Sequence, residues 1–382
     1  MEPNISKTNS PLNIYFFIGT TAELIRIAPI VKELNHRGIS PKIITSGQVK
    51  VHFEDIRSYC KGLCSYIALR EKGDKSSPVR FFFWTIKTLI RTVILLRSEF
   101  KNIDKGISFF VICGDPVSTT IGALSAFIHG LKIVHIESGD LSFNLMEPFP
   151  EEICRNINLA FADILFPPSQ WAENNLQHHK KIKINTHYNT QLETFFWAMN
   201  QKTPPINQLI GKKYYILIMH RQEHVFFRKG WTKKTLKLVI ENSDPNLTCV
   251  LFNYPITVSL VRSLGYGPLI NSGKIIILQP VSYPTFLKLV KGSQYIATDG
   301  ATNQYEAYLM GKPCLLLRDF TEQIEGIGKN VVLYKSQPKV IKEFLHNYPK
   351  YNSKPVKTKI KPSKIVVDNL FKLSALPYRI ET

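Results

Sequence analysis

Short apolar runs rich in Ile, Val and Phe alternate along this chain with longer amphipathic stretches, and that rhythm predicts the fold. In the first part, Ile14 to Ile18, Lys42 to Thr45, Phe109 to Cys113, Ile133 to Ile136 and Ile164 to Phe166 read as strands, with helical periodicity between them. The pattern starts again at Tyr214 to Met219 and continues through Thr248 to Phe252, Lys274 to Leu278, Tyr295 to Thr298 and Pro313 to Leu317. Alternating strands and helices mean parallel sheets. The expected architecture is α/β: two Rossmann-like, doubly wound domains facing across a crevice. The polar interval NQKTPPINQLIGKK, with Pro204 and Pro205, marks the division. It gives an N-terminal domain at 1–199, a C-terminal domain at 200–362 and a terminal helix at 363–382 that packs back across the junction.

In an open parallel sheet, ligands bind beyond the carboxyl ends of the strands, so acids delivered there are the first candidates for chemistry. The stretch KIVHIESGDLSFNLMEPFPEEICRN carries Glu137 off a strand and ends in Glu151 and Glu152. Two readings stand side by side. The second acid pair with Arg155 is an ordinary helix start, its acids favoured by the helix dipole and Glu151 paired to Arg155 at i,i+4; or the block is a catalytic carboxylate cluster. Two turns resemble anion sites, where a strand leads through small residues into a helix N-terminus: Gly19-Thr20-Thr21, and Asp299-Gly300-Ala301-Thr302. Neither is a G-x-G-x-x-G fingerprint, which speaks against a dinucleotide cofactor. Glu306, one turn into the second helix, either reaches sugar hydroxyls or is a solvated helix acid.

Composition narrows the partners. The 382 residues are 44% apolar and carry 49 Lys and Arg against 29 Asp and Glu, a net charge of +20. Such a balance favours anionic partners. The cations, among them Lys72, Lys75, Lys180, Lys181, Lys212, Lys213, Lys233, Lys234, Lys357 and Lys359, are dispersed without interleaved aromatics, which argues against nucleic acid. Six cysteines include one close pair, Cys60 and Cys64, and the expectation is reduced thiols in a cytoplasmic protein with no metal site. The segment FFFWTIKTLIRTVILL, Phe81 to Leu96, contains Lys87 and Arg91 and is too short to span a bilayer. Core packing is its first reading; peripheral contact with an anionic membrane surface is its second.

From Ile14 to Val332 the chain resembles the UDP-N-acetylglucosamine 2-epimerase family, whose fold is the two-Rossmann arrangement called GT-B. The resemblance rests on ordered blocks: IGTTAELIRIAPIVKEL, VICGDPVSTTIGALSAF, HIESG, EPFPEEICRN, MHRQEH and TDGATNQYEAYLMGKPCLLLRDFTEQIEG. It implies Asp115, Glu137 and Glu151 as acid/base groups, and His220 beside the leaving diphosphate. It further implies a binding set of Gly19, Arg26, Arg155, Arg221, Gly300, Ala301, Thr302, Gln304, Glu306 and Arg318. In that set Arg155 organises the acids, Glu306 holds ribose hydroxyls, and the amides at 300–302 cradle phosphate. The implied reaction inverts carbon 2 of a UDP-N-acetylhexosamine through elimination of UDP and its re-addition, supplying sugars for surface polysaccharides. HIESG followed by PFPEE is similar to the non-hydrolysing branch. No metal or other cofactor is implied, and the partner beyond the UDP-sugar is a second copy of the chain.

The chain also departs from that family. Thr21 and Leu141 stand where it carries arginine, Val49 where it carries histidine, and Arg26 where it usually has lysine. Gly300-Ala301-Thr302 replaces Ser-Gly-Gly, Tyr305 replaces an acid, and FNYPIT occupies a PVHxNP-like stretch. Cations changed while carboxylates stayed. Two other readings therefore accompany the epimerase: a GT-B glycosyltransferase using a UDP-sugar donor, with Asp115 or Glu137 as its base, and a nucleotide-sugar-binding homologue without turnover.

Overall fold

The computed structural model describes residues 12–48, 58–60, 65–69, 78–101, 103–145, 148–221, 224 and 228–375. Val49, Cys64, Lys72, Lys75, Glu147, Gln222 and Glu223 lie outside the described residues, as do the polar opening and residues 376–382. The chain divides into two compact units. One comprises Met1–Met146, Pro150–Thr194 and Ile360–Thr382; the other comprises Glu147–Phe149 and Phe195–Lys359.

The first unit is built on seven parallel strands: β1 (Ile14–Ile18), β2 (Lys42–Thr45), β3 (Ser65–Ala68), β4 (Phe109–Cys113), β5 (Lys132–Ile136), β6 (Ile164–Phe166) and β7 (Ile182–Lys183). Their spatial order is β3-β2-β1-β4-β5-β6-β7. The chain winds outward from β1 in one direction and then resumes at β4 in the other, the kind of switch point at which open parallel sheets take their ligands. β1 and β4 run in register from Ile14 beside Phe109 to Phe17 beside Ile112. Both strands are fully buried, which explains their uninterrupted apolar sequence.

The second unit repeats the plan with six parallel strands: β8 (Tyr214–Ile218), β9 (Thr248–Phe252), β10 (Ile275–Leu278), β11 (Ile296–Thr298), β12 (Cys314–Leu316) and β13 (Val331–Leu333), in the order β10-β9-β8-β11-β12-β13. Its reversal falls between β8 and β11. The edge strands β3, β7 and β13 are the ones the hydrophobic pattern does not announce. They are two to four residues long and at least partly exposed, so they lack a continuous apolar run.

Helices α1 (Thr21–His36), α2 (Pro78–Glu99), α3 (Val117–Ile128) and α4 (Glu151–Phe161) cover the first sheet, and α5 (Ala301–Met310) follows β11 in the second unit. Core packing describes one face of α2. Trp84, Thr88, Thr92 and Leu96, spaced four apart, are buried, whereas Phe82, Phe83, Ile86, Ile90, Ile94 and Leu95 are exposed. Among the described residues no helix is long and apolar enough to cross a membrane.

The C-terminal helix α6 (Pro362–Ser374) belongs to the first unit. Arg37, at the end of α1, pairs with Asp368 at 2.5 Å, and Ser363 donates from its amide and hydroxyl to Glu193, each at 2.8 Å. Val366, Val367 and Leu370 are completely buried. Leu370→Ala removes a packed side chain from this contact and is expected to lower unfolding free energy by about 2–5 kcal/mol, measured by urea denaturation.

Candidate active site

The turn after β1 is fixed by a buried acid. Thr20 caps α1, and Glu23 turns back on the turn, its Oε2 accepting from the amides of Gly19 (2.9 Å) and Thr20 (2.8 Å). Its other oxygen accepts the Thr119 hydroxyl of α3 at 3.0 Å. The sequence signal was present, since Thr20-Thr21-Ala22-Glu23 fits the capping-box spacing. Gly19 cannot be larger: a Cβ there would lie 1.8 Å from Ser118 Oγ.

One turn along α1, Arg26 reaches Glu137 just past β5, Nη1 to Oε2 at 2.8 Å, with both side chains 9% exposed. Burial pushes Glu137 from its ordinary 4.5 up to about 7, an effect that Asp115 reinforces and that Arg26, Arg155 and Asn189 oppose. Glu23 is likewise raised to about 7 by burial, against the hydrogen bonds it accepts. Burial works against the charge on Arg26, but the neighbouring acids, Glu137 first, move its pKa upward. Glu137 itself adopts φ 62°, a left-handed conformation uncommon outside glycine.

Beside this pair, Asp115 follows β4 and is held by Arg155 of α4. Arg155 also contacts Glu152 at 2.7 Å, and Glu152 accepts the amides of Ser142 (2.9 Å) and Phe143 (3.0 Å). Glu152 and Arg155 are buried, while Asp115 is 26% exposed. Glu151 occupies the first position of α4, half-buried. The block is a helix start, as the first reading has it, and its charged side chains also join an ion-pair network. Glu151 and Glu152 do open a helix, and Glu152 anchors the cation that holds Asp115.

In the second unit, Asp299 directly follows β11 and is fully buried. It accepts the amides of His220 (3.1 Å) and Arg221 (3.0 Å) and the Nδ1 of His224 (3.0 Å), with His220 Nδ1 at 3.4 Å. Burial would raise its pKa, but the two histidines overcome this and hold the carboxyl well below its usual range. His220 is 39% exposed at its side chain and stacks on Tyr254, centroids 5.1 Å apart. Gly300 packs against it, a Cβ there falling 3.3 Å from His220 Cε1. The amide of Gly300, expected to join those of 301 and 302 in cradling phosphate, donates instead to Thr298 Oγ1 at 3.0 Å, and Ala301 and Thr302 are the first residues of α5.

Glu306 is buried and accepts from Asn303 at 3.1 Å, which removes the solvated-acid reading. Gln304 is buried and donates to the carbonyls of Gln323 and Glu325, and Arg318 is buried against Glu322 at 2.6 Å. Both brace the loop after β12. Among the described residues no group of His, Cys, Asp and Glu has a metal-binding arrangement.

The family model described as UDP-N-acetylglucosamine 2-epimerase matches residues 88–362. The chain belongs to that family. It is 29% identical to the UDP-N-acetylglucosamine 2-epimerase of Campylobacter jejuni over 341 residues, 84% of each chain. It is equally 29% identical, over 239 residues, to the UDP-2,3-diacetamido-2,3-dideoxy-D-glucuronate 2-epimerase of Pseudomonas aeruginosa, covering 60% of this chain and 65% of the relative. Among solved structures, the Neisseria meningitidis UDP-GlcNAc 2-epimerase bound to UDP-GlcNAc shares the fold with a TM-score of 0.77 at 24% identity, covering 94% of this chain and all of that one.

Within this epimerase-family chain, the candidate residues assemble into two constellations, one per unit. Gly19, Arg26, Asp115, Glu137, Glu151 and Arg155 stand at strand ends and helix starts of the first. His220, Arg221, Gly300, Ala301, Thr302, Gln304, Glu306 and Arg318 belong to the second. Residue type alone did not single out Glu23, Asp299 or His224. Asp299 had one legible mark, its place between a buried strand and the small-residue turn.

The raised carboxyls have a consequence for stability. Glu137 and Glu23 bind protons in the folded state up to about pH 7 but in the unfolded chain only near 4.5. Their contribution is therefore fully present below 4.5 and lost as pH rises through 7. Urea midpoints should fall between pH 5 and pH 8, and Glu137→Gln should make that fall shallower. An unchanged slope in the variant would show that Glu137 does not titrate in this window.

Proposed function

We propose that this chain inverts carbon 2 of a UDP-N-acetylhexosamine by eliminating UDP and adding it back. The observation that carries the reading is the carboxylate cluster of the first unit: Glu137 buried, paired with Arg26 and brought to about 7, beside a more open Asp115 held by Arg155. A carbon-bound proton is weakly acidic, and a base works best when its pKa lies near the working pH. In the elimination, an ionised carboxylate takes the carbon 2 proton while the bond from carbon 1 to the diphosphate oxygen breaks. In the re-addition, a carboxyl returns a proton to carbon 2 from the other face as the diphosphate oxygen attacks carbon 1. Two carboxyls in different surroundings suit these opposite roles.

Support for diphosphate binding comes from the second unit. His220 is oriented by Asp299 and left partly exposed, and the first-turn amides of α5 form the kind of helix terminus that receives phosphate. Glu306, one turn further, has the position and burial for ribose hydroxyls. The Campylobacter jejuni and Pseudomonas aeruginosa relatives carry the names of enzymes acting on different UDP-sugars. The substrate class supported here is accordingly UDP-2-acetamido sugars rather than one member, and cytoplasmic sugar supply for surface polysaccharide is the setting that fits it.

In heavy water the protein should place deuterium at carbon 2 of UDP-N-acetylglucosamine or a related UDP-acetamido sugar, read by mass spectrometry. Glu137→Gln and Asp115→Asn should each slow this by roughly a hundred- to ten-thousand-fold. No exchange with any such sugar sinks the reading, and acceptor-dependent UDP release without exchange would replace it with glycosyl transfer.

For the partner, we infer a homodimer formed through the exposed face of α2. That helix spans about 33 Å, and Phe83, Ile86, Ile90 and Ile94 line a continuous apolar stripe on it. A two-fold pairing covers the stripe with its own copy. Light scattering should give twice the chain mass, and Ile90→Glu should return it to one. A monomer that instead binds vesicles of anionic lipid would assign the face to a membrane surface.

A further inference from the structure

We propose that His135 and Asn158 are positioning residues that grip the carbonyl oxygen of Gly114 and so keep the end of β4 closed over the Arg26–Glu137 pair. This rests on the acid/base reading of Glu137.

His135 Nε2 lies 2.8 Å from the Gly114 carbonyl oxygen, and Asn158 Nδ2 donates to the same oxygen at 3.5 Å. The amide of Gly114 donates to Ile136 at 3.0 Å. Both polar groups of this one residue are therefore tied to β5 and α4. Gly114 needs such restraint and cannot be replaced by a side chain that would supply it. Its φ is +68°, and a Cβ would stand 3.1 Å from Arg26 Nη1 and 3.3 Å from Glu137 Oε2. The hydrogen face of Gly114 thus lies directly against the ion pair.

The chemistry of His135 fits a clamp. A carbonyl only accepts, so Nε2 must carry the proton. Burial lowers the ring to about 4, against the Gly114 hydrogen bond and Asp115, with Arg155 adding to the fall. The neutral tautomer is therefore stable across the functional range. Among the described residues Nδ1 has no hydrogen-bond partner, which leaves the Gly114 carbonyl as the partner of the ring. His135 and Asn158 are 1% and 0% exposed, too deep to meet a substrate.

The consequence falls on Glu137, two residues beyond His135. The groups facing it are Arg26 from α1, Cys113 and Asp115 from the end of β4, Arg155 from α4, and Asn189. Burial is the largest cause of its raised pKa, and Arg26 the largest opposing one. If Gly114 is released, water reaches the pair and the burial effect shrinks, so Glu137 moves down toward 4.5.

The test uses the full chain labelled with carbon-13 at the glutamate side-chain carboxyl, with the Glu137 resonance identified by its loss in Glu137→Gln. The native midpoint should lie at about 7. His135→Phe keeps a ring and removes the donor, and should lower the midpoint by about one unit or more. His135→Gln restores an amide donor near the Nε2 position and should return most of the shift. Asn158→Leu should give a smaller displacement in the same direction, and decides the matter if His135→Phe does not fold. The proposal is overturned if a folded His135→Phe, or Asn158→Leu in its place, titrates as the native protein does. It is equally overturned if His135→Gln is displaced as far as His135→Phe. The acid limb of the carbon 2 exchange profile should move with the Glu137 midpoint. If the native protein shows no exchange, the epimerase reading fails while the carboxyl titration still decides the clamp.

Discussion

Arg26 and Glu137 meet 2.8 Å apart at the carboxyl ends of β1, β4 and β5, each with nine-tenths of its side chain out of solvent. Burying two charges costs more than their attraction returns unless the surroundings are closely arranged. Much of the first unit around them meets that demand. Glu23 fixes the turn that starts α1 and so aims Arg26. Gly114 lets the backbone of β4 close against the pair, and Glu137 takes a left-handed backbone conformation to reach its partner. The Asp115–Arg155–Glu152 chain then places a second acid and a second cation alongside. Remove the ion pair and these features lose their common purpose.

The second unit solves the opposite problem. Asp299 is more deeply buried than Glu137, yet its carboxyl is held well below its usual range, because two backbone amides and the Nδ1 atoms of two histidines converge on it. Such a carboxylate is a poor proton carrier and a good anchor. It fixes where His220 sits and gives the ring a negative partner, leaving the stacked and partly open imidazole beside Gly300 and the start of α5. One fold plan, used twice, yields a carboxyl that can exchange a proton near neutrality and a carboxyl that cannot. The difference lies in donors: Glu137 has a cation in a largely desolvated place, and Asp299 has a full set of hydrogen bonds.

Strand positions and the two turns were legible because a doubly wound sheet imposes a simple pattern: buried strands must be apolar throughout, and small residues must follow where backbone approaches backbone. Glu137 was legible for the same reason, as a polar residue immediately beyond such a strand, whereas Asp115 and His220 were singled out only by the family resemblance. What the pattern could not carry was pairing. Glu151 and Glu152 are indistinguishable by type at the start of a helix, and only the geometry shows that Glu152 turns inward to Arg155 and the amides at 142 and 143. Glu306 and Gln304 lie on one helix, and only the structure shows that Gln304 is tied to the loop after β12 and that Glu306 accepts from Asn303. The exposed stripe on α2 was hidden too, since a helix apolar on most sides reads as core until its neighbours are known.

The departures from the family pattern can be weighed by where they fall. Leu141 is buried among apolar neighbours of the first core, so an arginine lost there has been replaced by packing, not by another charge. Tyr305 likewise sits in the interior of α5, 1% exposed. Arg26, which stands where lysine is usual, contacts Glu137 directly, and a guanidinium offers several fixed donors where an ammonium offers a compact point charge. That exchange keeps the positive charge needed beside a buried acid while spreading it over a planar group. At these three positions the positive charge beside Glu137 is kept, and the two lost charges fall on residues that are now buried. This is the pattern expected if the acid/base chemistry is retained while the shape and charge of the bound sugar have been free to change.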